Sequence, residues 1–221
     1  MCGRFALFTP MKELAAVAAA EPLSELTPFA PSWNVCPQQH VPVATEVGVD
    51  GEQNVQRHFR LMQWGFRPSW AKPSNREPIN ARRETVHDKP MFRRAAEQRR
   101  GVVPADGWYE WMTTPRGKVP FYHKPSDDAL LLMAGIYEHW RDEHGTLNTF
   151  SLLTKDSTPD VSHVHNRMPV LLEANNANQW LTQKETPSFT SRLEVFPVGR
   201  EVNKTSAKGP QLIQKLRTLF D

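Results

Sequence analysis

The sequence has only two cysteines, Cys2 and Cys36, among its 221 residues. This count excludes a disulfide-bonded scaffold and a zinc site with four cysteine ligands. The sequence also lacks a run of about 18–20 apolar residues, the length that a membrane-spanning helix needs, and its first residues do not form a signal-peptide pattern. We therefore expect a soluble protein with no membrane partner in the reducing cytoplasm, or in the nucleus if the source is eukaryotic.

Repeats, low-complexity tracts and clear linkers are absent as well. The chain is 39% hydrophobic and 23% charged, which is typical of a globular protein and not of a disordered one. Predicted strands outnumber predicted helices, follow one another in hairpin order and are joined by proline-rich connections. The pattern predicts one α+β domain over residues 1–221, with a mainly antiparallel, barrel-like or sandwiched β-sheet core and peripheral helices.

Two helices are predicted near the surface of this domain. Thr9 and Pro10 have the residue types of an N-cap and a first helical position, so a helix should begin there. A second helix is predicted over residues 89–100, where Gly101 stops it. Other elements are predicted in chain order as a loop at 23–40, a hairpin turn at 50–51, a loop at 67–80, a short helix at 174–181, a strand at 192–198 and a polar tail, expected to be mobile, from about 199.

Positive charge is concentrated in residues 57–100. Twelve of the 27 Lys and Arg residues and four of the 24 Asp and Glu residues lie there, so the segment carries +8 and the other 177 residues carry −5. Arginine-rich surfaces bind nucleic-acid phosphates, and aromatic rings stack on unpaired bases. The segment also holds Phe59, Trp64, Phe66, Trp70 and Phe92. It suits either a nucleic-acid surface or a solvated helix face beside core aromatics.

Cys2 follows the initiator methionine, whose removal is favoured when the next residue is small. We expect that removal, which leaves an α-amine and a thiol on adjacent carbons. Such a pair condenses with an aldehyde to an imine and closes it to a five-membered thiazolidine ring. The same pair suits an N-terminal-nucleophile hydrolase, in which the amine is the base for the thiol. An unremarkable second residue is the third interpretation.

The remaining cysteine and histidine motifs indicate no metal or cofactor. Cys36 has no activating neighbour in sequence and is predicted to be a buried, inert thiol. His163 and His165 have the spacing of a ligand pair but no matched third ligand. We therefore expect neither a metal site nor a cofactor.

Six short motifs are spread over most of the chain: MCGRF (1–5), WNVCP (33–37), WGFRPSW (64–70), INARRET (79–85), ADGWYEW (105–111) and HNRMP (165–169). In this order and at these separations they resemble the SRAP (SOS-response-associated peptidase-like) family, strongly to about residue 170 and more loosely beyond it. Members sense abasic sites in single-stranded DNA and crosslink to them through an N-terminal cysteine. The resemblance implies the same chemistry for this chain.

The resemblance implies four catalytic residues. Cys2 would be the nucleophile that traps the ring-opened aldehyde of an abasic site as a thiazolidine. Glu110 would be the general acid and base of imine formation and ring closure, which requires a carboxyl group within hydrogen-bond reach of the reacting atoms. His165 would contact the opened sugar and transfer protons, and Asn80 would orient the sugar or the amine near Cys2.

The resemblance also implies a DNA-binding set. Arg82 and Arg167 would hold the phosphates that flank the lesion as bidentate forks. The other members would line the same cleft, or stack on and wedge against bases: Arg4, Asn34, Trp70, Met91, Phe92 and Trp111. Two positions depart from the family's pattern. Cys36 stands where a smaller or non-thiol residue is frequent, and at position 168, which is Met168 here, an arginine also occurs in the family.

Three functions remain open at this point. The first is an abasic-site sensor that shields the lesion during the DNA damage response, with a lyase side activity, reversal of the crosslink through Glu110 and His165, and self-cleavage of Met1. The second is an N-terminal-nucleophile hydrolase, because class II glutamine amidotransferases also begin Met-Cys-Gly. The third is a non-catalytic single-strand-binding module. For the first we expect a monomer whose partner is single-stranded DNA containing abasic sites, and which is nucleoid-associated when bound.

Overall fold

A computed structural model describes most of the chain. The described residues are 2–22, 29–48, 55–72, 77–143, 145–183, 186 and 188–216. The hairpin turn predicted at residues 50–51 lies outside them. Among them, no helix has the length and apolar character needed to cross a membrane.

Five strands form a closed barrel. They are β4 (His40–Gly48), β5 (Val55–Trp64), β7 (Arg100–Ala105), β10 (Leu131–Asp142) and β11 (Gly145–Asp156). Hydrogen bonds join β5 to β4, β4 to β7, β7 to β10 and β10 to β11 in antiparallel pairs, and a parallel contact between β11 and β5 closes the ring. The prediction of a mainly antiparallel, barrel-like core in an α+β fold is confirmed.

Short strands extend the barrel wall. β2 (Glu21–Pro22) pairs with β5, β6 (Asn80–Arg82) and β12 (Arg167–Pro169) pair with β11, and β13 (Leu171–Leu172) pairs with β10. The pairings of β6 and β12 matter most for function. They bring the residues after Ile79 and those after His165 to the same strand of the barrel.

A second sheet contains five strands, all antiparallel. They lie in the order β14 (Leu193–Pro197), β9 (Gly117–Pro125), β8 (Gly107–Thr114), β1 (Arg4–Leu7) and β3 (Ser32–Val35). β3 falls inside the loop predicted at 23–40. Its residues pair with β1, which supplies the hydrogen bonds that the proline-rich local sequence does not suggest.

The main core joins the two sheets through aromatic rings. Phe5 of β1 packs on Trp64 of β5 with ring centroids 5.1 Å apart, and Trp64 stacks on Phe150 of β11 at 6.3 Å. All three side chains are fully buried. The Trp64 indole Nε1 also donates a hydrogen bond of 2.9 Å to the carbonyl of Ile79, so one side chain connects β1, β5, β11 and the approach to β6.

Both helices begin later in the chain than the sequence predicts. α1 spans Met11–Ala18, and its N-cap is Pro10, not Thr9. The Thr9 hydroxyl contacts the Asp106 carboxylate instead, and the Thr9 N–H donates to the same carboxylate. A tertiary partner has therefore captured the side chain that local sequence assigns to the cap.

α2 covers only Arg93–Gln98 of the helix predicted over 89–100. It ends there because Arg100 already belongs to β7 and pairs with Ile136 of β10. The residues from Lys89 to Phe92 form turns that lead into the helix. In the region predicted as a short helix at 174–181, the structure has a turn followed by one π-helical turn, Gln179–Gln183.

The tail expected to be mobile from about 199 packs against the second sheet so far as it is described. It contains two 3₁₀ helices, Arg200–Asn203 and Pro210–Ile213. Val202 and Leu212 are buried in a satellite core with Tyr109 of β8. Their widely spaced apolar side chains do not form a periodic pattern, which is why the sequence alone describes the segment as polar.

The aromatic stack gives a stability prediction. Phe150→Ala should lower the free energy of unfolding by about 3–5 kcal/mol, because it removes a fully buried ring and leaves a cavity beside Trp64. Urea denaturation measures the change. Trp70→Ala, which truncates a side chain that is 70% exposed, is the control and should change stability by no more than about 0.5 kcal/mol. Equal effects of the two variants would contradict the proposed role of the stack.

Candidate active site and nucleic-acid interface

Cys2 lies immediately before β1 and is fully buried. Asn80, on β6 of the barrel wall, binds Cys2 directly. The Asn80 Nδ2 donates a 2.7 Å hydrogen bond to the Cys2 carbonyl. The Cys2 thiol approaches the carbonyl of Arg4 at 3.7 Å. The predicted pairing of Asn80 with Cys2 is therefore present in the structure, and it bridges the two sheets.

The Asn80 side chain also presents an acceptor to this region. Its Oδ1 is buried and accepts no hydrogen bond from the residues that the structure describes. A buried acceptor without a hydrogen-bond donor costs about 1–3 kcal/mol. The Asn80 Oδ1 therefore favours the binding of a donor group beside Cys2.

Glu110 is the acidic group near Cys2. It lies on β8, is 4% exposed, and belongs to the strand that pairs with β1, where Arg4 opposes Tyr109. Burial raises the pKa of the Cys2 thiol, and the negative charge of Glu110 raises that pKa further. The thiol is thus held in its protonated form within electrostatic reach of a carboxylate.

Glu110 and His165 share one cavity of about 320 Å³. They come from different sheets, since Glu110 is on β8 and His165 precedes β12. The cavity has three further lining residues: Trp111, Lys118 and Asn203. The structure therefore brings together Glu110 and His165, which are 55 positions apart in the sequence.

The His165 ring has a defined hydrogen-bond partner. Its Nδ1 accepts a 3.0 Å hydrogen bond from the backbone N–H of Arg167. In the neutral imidazole the proton is therefore on Nε2. The Ser157 hydroxyl donates to the His165 carbonyl at 2.7 Å, which holds the backbone of the loop as well.

Arg167 uses its guanidinium inside the protein. The fork donates to both carboxylate oxygens of Glu84, at 3.1 and 2.8 Å, and also contacts Asp156 and the carbonyl of Thr154. The hydrogen bonds that Arg167 donates to Glu84 raise the pKa of Arg167 and lower that of the Glu84 carboxyl. The donors predicted to hold a phosphate are occupied here, and Arg167 positions His165 through its backbone.

Arg4 and Asn34 also bind protein groups. Arg4 Nη1 donates to Asn34 Oδ1 at 2.8 Å and to the carbonyl of Val202 at 2.7 Å. Asn34 is 3% exposed, and its Nδ2 donates to the carbonyls of Lys204 and Ala207. The two residues lie together as predicted, but they clamp the tail beside the site instead of offering free donors to DNA.

The aromatic and methionine positions divide into exposed and buried members. Trp70 is 70% exposed and Met91 is 38% exposed, so both can meet a base. Phe92 is buried and packs edge-on against Phe66 with centroids 5.4 Å apart; its predicted stacking on DNA does not hold in this structure because the ring belongs to the core. Trp111 is half-buried, and its Nε1 donates to Asn203 Oδ1 at 2.7 Å.

The positive segment 57–100 divides in the same way. Four arginines are tied within the fold: Arg57 to Glu46, Arg67 to Glu77, Arg99 to Glu138, and Arg100 to backbone carbonyls that include Leu181. Six basic side chains are exposed: Lys72, Arg82, Arg83, Lys89, Arg93 and Arg94. The segment therefore contains arginines that are bound within the fold and basic side chains that are exposed, and the exposed ones are compatible with either interpretation.

Two residues that line the cavity, Lys118 and Asn203, lie outside the sequence motifs. Lys118 lies outside the charged segment. It pairs with Thr113 in the β8–β9 hairpin and lines the cavity that Glu110 also lines. Asn203 belongs to the tail that was expected to be mobile. The sequence signal that could have found Lys118 is its place on the strand that follows the GWYEW motif.

The remaining cysteine has no reactive setting. Cys36 is buried, its thiol donates to the carbonyl of Asn34 at 3.3 Å, and burial raises its pKa. Both cysteines are free thiols. Across the part of the chain that the structure describes, no group of three or more His, Cys, Asp or Glu side chains could hold a metal ion.

A buried histidine lies beneath the β8–β9 surface. His123 stacks on Trp108 with ring centroids 4.5 Å apart. Burial lowers the pKa of the His123 imidazole to about 3 from its ordinary 6.5. The ring is therefore neutral in the folded protein at neutral pH, and protonation must oppose folding.

Comparisons with known proteins identify similar chains and a similar fold. The model of the family described as SOS response associated peptidase (SRAP) matches residues 1–205. The chain is 32% identical to the abasic site processing protein YoqW of Bacillus subtilis, over 97% of this chain and 99% of that protein. It is 32% identical to the abasic site processing protein HMCES of Gallus gallus, over 76% of this chain and 59% of that protein.

A crystal structure of a protein from Bacteroides thetaiotaomicron has the same fold. It superposes with a TM-score of 0.83 at 23% identity, and it covers 98% of this chain and 100% of that one. At this identity the likeness concerns the fold alone.

The burial of His123 gives a pH prediction. Between about pH 6.5 and pH 3 the unfolded chain binds a proton that the folded chain does not, so the free energy of unfolding should fall as the pH is lowered through that window. His123→Phe keeps a ring on Trp108 and removes the titration. From pH 7 to pH 5 the unmodified protein should lose about 2 kcal/mol more than the variant in urea denaturation. Parallel pH profiles of the two proteins would contradict the burial of a neutral imidazole.

Proposed function

The chain belongs to the SOS response associated peptidase (SRAP) family, and we propose that it recognises abasic sites in single-stranded DNA and crosslinks to them through Cys2 once Met1 has been removed. Its relatives are named abasic site processing proteins. The observation that carries the proposal is the arrangement around Cys2. Its carbonyl is held by Asn80, its thiol lies within electrostatic reach of Glu110, and Glu110 shares a cavity with His165.

The proposed reaction joins the terminal amine and thiol to one aldehyde. The α-amine of Cys2 attacks the aldehyde carbon C1 of the ring-opened abasic sugar, and loss of one water gives an imine. The thiol sulfur then forms a bond to the same carbon of the protonated imine. The thiol proton goes to Glu110 and replaces the proton that Glu110 gave to the departing water, while the nitrogen keeps its hydrogen. The product is a five-membered thiazolidine, and one water is the only molecule released.

The raised pKa of the thiol favours attack by the amine before the thiol. A protonated thiol is a weak nucleophile, whereas an α-amine has an ordinary pKa of about 7.7–8.0 and is partly neutral at physiological pH. The amine therefore attacks first. The thiol adds afterwards, when the imine carbon has become the stronger electrophile and Glu110 can accept the thiol proton.

The other site residues have complementary roles. Glu110 is buried and can deliver a proton to the leaving hydroxyl and recover one from the thiol. The His165 Nε2–H can donate to an oxygen of the opened sugar. The unfilled Asn80 Oδ1 can accept a hydrogen bond from the α-amine and turn its lone pair toward the aldehyde.

The same groups support three side reactions. An imine permits β-elimination of the 3′ phosphate, which is a lyase activity. Glu110 and His165 can return the water that reverses the crosslink. A Cys2 thiol that can pass its proton to Glu110 also suits self-cleavage of the Met1–Cys2 bond, the peptidase activity that we propose is confined to the chain's own leader residue.

The exposed half of the positive segment is the proposed DNA surface. Arg82 lies at the end of β6, two residues after Asn80, and it is exposed and has no ion pair within the described residues. Trp70 and Met91 present exposed apolar surface to flanking bases. Arg167 acts indirectly, because its side chain is bound to Glu84 while its backbone orients His165.

The crosslink is tested with an oligonucleotide that contains one abasic site. The protein should give a band that resists denaturation, and its intact mass should equal the sum of protein lacking Met1 and DNA, minus one water. Cys2→Ala should abolish the band, and Cys36→Ala, which alters the other buried thiol, should retain it. Glu110→Gln should slow its formation by about 10²–10⁴-fold.

Other outcomes of this test would favour the competing functions. A band that persists in Cys2→Ala would sink the proposal. Ammonia release from glutamine without any crosslink would support the amidotransferase-like hydrolase. Equal, reversible and salt-sensitive affinity for intact and abasic DNA would support the non-catalytic binding module.

The DNA surface is tested by affinity at several salt concentrations. Arg82→Ala should reduce the magnitude of the slope of log K against log salt by about 0.7, the value for one phosphate contact on a single strand. Trp70→Ala should weaken binding by about 1–3 kcal/mol and leave the slope unchanged, because stacking releases no counterion. Arg141→Ala, at the exposed end of β10, is the charge-matched control. A slope change as large in Arg141→Ala as in Arg82→Ala would refute a localised surface.

A further inference from the structure

We propose that Asn203 is a substrate-orienting residue whose side-chain amide donates a hydrogen bond to the oxygen that the abasic sugar releases when its ring opens. The inference rests on the proposed function, because it assigns a contact to the same substrate. It concerns the tail segment, to which the family motifs and the charged segment assign no role.

The orientation of the Asn203 amide follows from its partner. The Trp111 Nε1 contacts the Asn203 side chain at 2.7 Å. An indole N–H is a donor only, so the atom that it meets must be the carbonyl oxygen and not the amide nitrogen. The two N–H donors of Asn203 are therefore directed away from Trp111.

The backbone of Asn203 is held independently of its side chain. Arg4 donates to the carbonyls of Val202 and Asn203, and the buried Asn34 donates to those of Lys204 and Ala207. Arg4 and Asn34 are bonded to each other. The backbone is therefore held by hydrogen bonds both before and after the Asn203 side chain. A group that orients a substrate needs a fixed position of this kind.

The cavity defines the chemistry of the ligand. Asn203 lines it together with Glu110, His165, Trp111 and Lys118. A carboxyl, an imidazole, an ammonium and an amide around about 320 Å³ suit a small molecule or fragment rich in oxygen. The sugar of an abasic site is such a fragment.

Ring opening creates a new hydrogen-bond acceptor for the Asn203 amide. In the closed sugar the ring oxygen is shared between C1 and C4. When the ring opens, C1 becomes the aldehyde that reacts and C4 carries a free hydroxyl group. An amide that binds this hydroxyl stabilises the reactive, open form, so Asn203 would raise the fraction of substrate that Cys2 can trap.

Equilibrium binding of a Cys2→Ala protein tests the proposal without covalent chemistry. Two single-stranded oligonucleotides are compared: one with a borohydride-reduced abasic residue, which is open and has the C4 hydroxyl, and one with a tetrahydrofuran residue, which is closed. The Cys2→Ala protein should bind the open residue more tightly. Adding Asn203→Asp, which keeps the acceptor for Trp111 but loses the amide donors, should weaken binding of the open residue by about three- to tenfold more than binding of the closed one.

A matched variant controls for the added negative charge. Asn148→Asp makes the same chemical change on β11, where the Asn148 Oδ1 contacts His139 Nδ1. It should affect both oligonucleotides equally. Equal affinity of the Cys2→Ala protein for the two oligonucleotides, or an Asn203→Asp effect that is also the same for both, would overturn the proposal.

Trp111→Phe tests whether the indole sets the orientation. It retains an aromatic ring but removes the donor, which frees the Asn203 amide to rotate. The preference for the open residue should fall, and a full preference in this variant would refute the fixed orientation. Failure of the crosslink in the unmodified protein, with the preference for the open residue intact, would reject the proposed covalent function and leave the role of Asn203 supported.

Discussion

The contact on which the site depends is the burial of Trp64 between the two sheets. Its ring packs on Phe5 of β1 and on Phe150 of β11, and its Nε1 donates to the carbonyl of Ile79. Cys2 lies three residues before Phe5, and Asn80 directly follows Ile79. One aromatic side chain therefore determines that the chain terminus and the INAR motif meet, and the hydrogen bond from Asn80 to Cys2 completes that meeting.

The basic side chains form two groups that differ in burial: one group is paired with other groups of the protein, and the other is exposed. Arg67, Arg99 and Arg167 pair with carboxylates in places where an unpaired charge would cost several kcal/mol, and Arg100 satisfies backbone carbonyls. The remaining basic side chains of the segment that the structure describes as exposed, including Arg82, form no ion pair with the described residues. The division is consistent with a segment of +8 that both stabilises the barrel and provides the proposed DNA surface. A charge count along the sequence cannot distinguish the two groups.

Local sequence predicts the strand at 192–198 correctly, because its apolar residues lie together in a short run. It fails where a distant group competes for a side chain. Asp106 takes the Thr9 hydroxyl from its predicted capping role. Phe66 buries the Phe92 ring that a family resemblance assigns to DNA. Asn34 and Arg4 hold the tail that its polar composition describes as mobile. In each case a contact between residues far apart in the sequence overrides the preference of the local sequence.

The sequence by itself determined the family, the barrel-like α+β class and the chemical identity of the proposed reacting groups, since six motifs and a cysteine at position 2 are local information. Only the tertiary structure decided which groups share one cavity. Glu110 and His165 meet there with Lys118 and Asn203 because β8, β9, the approach to β12 and the tail converge on it. It also decided that the thiol is held protonated, since burial and a neighbouring carboxylate are properties of packing and not of residue type.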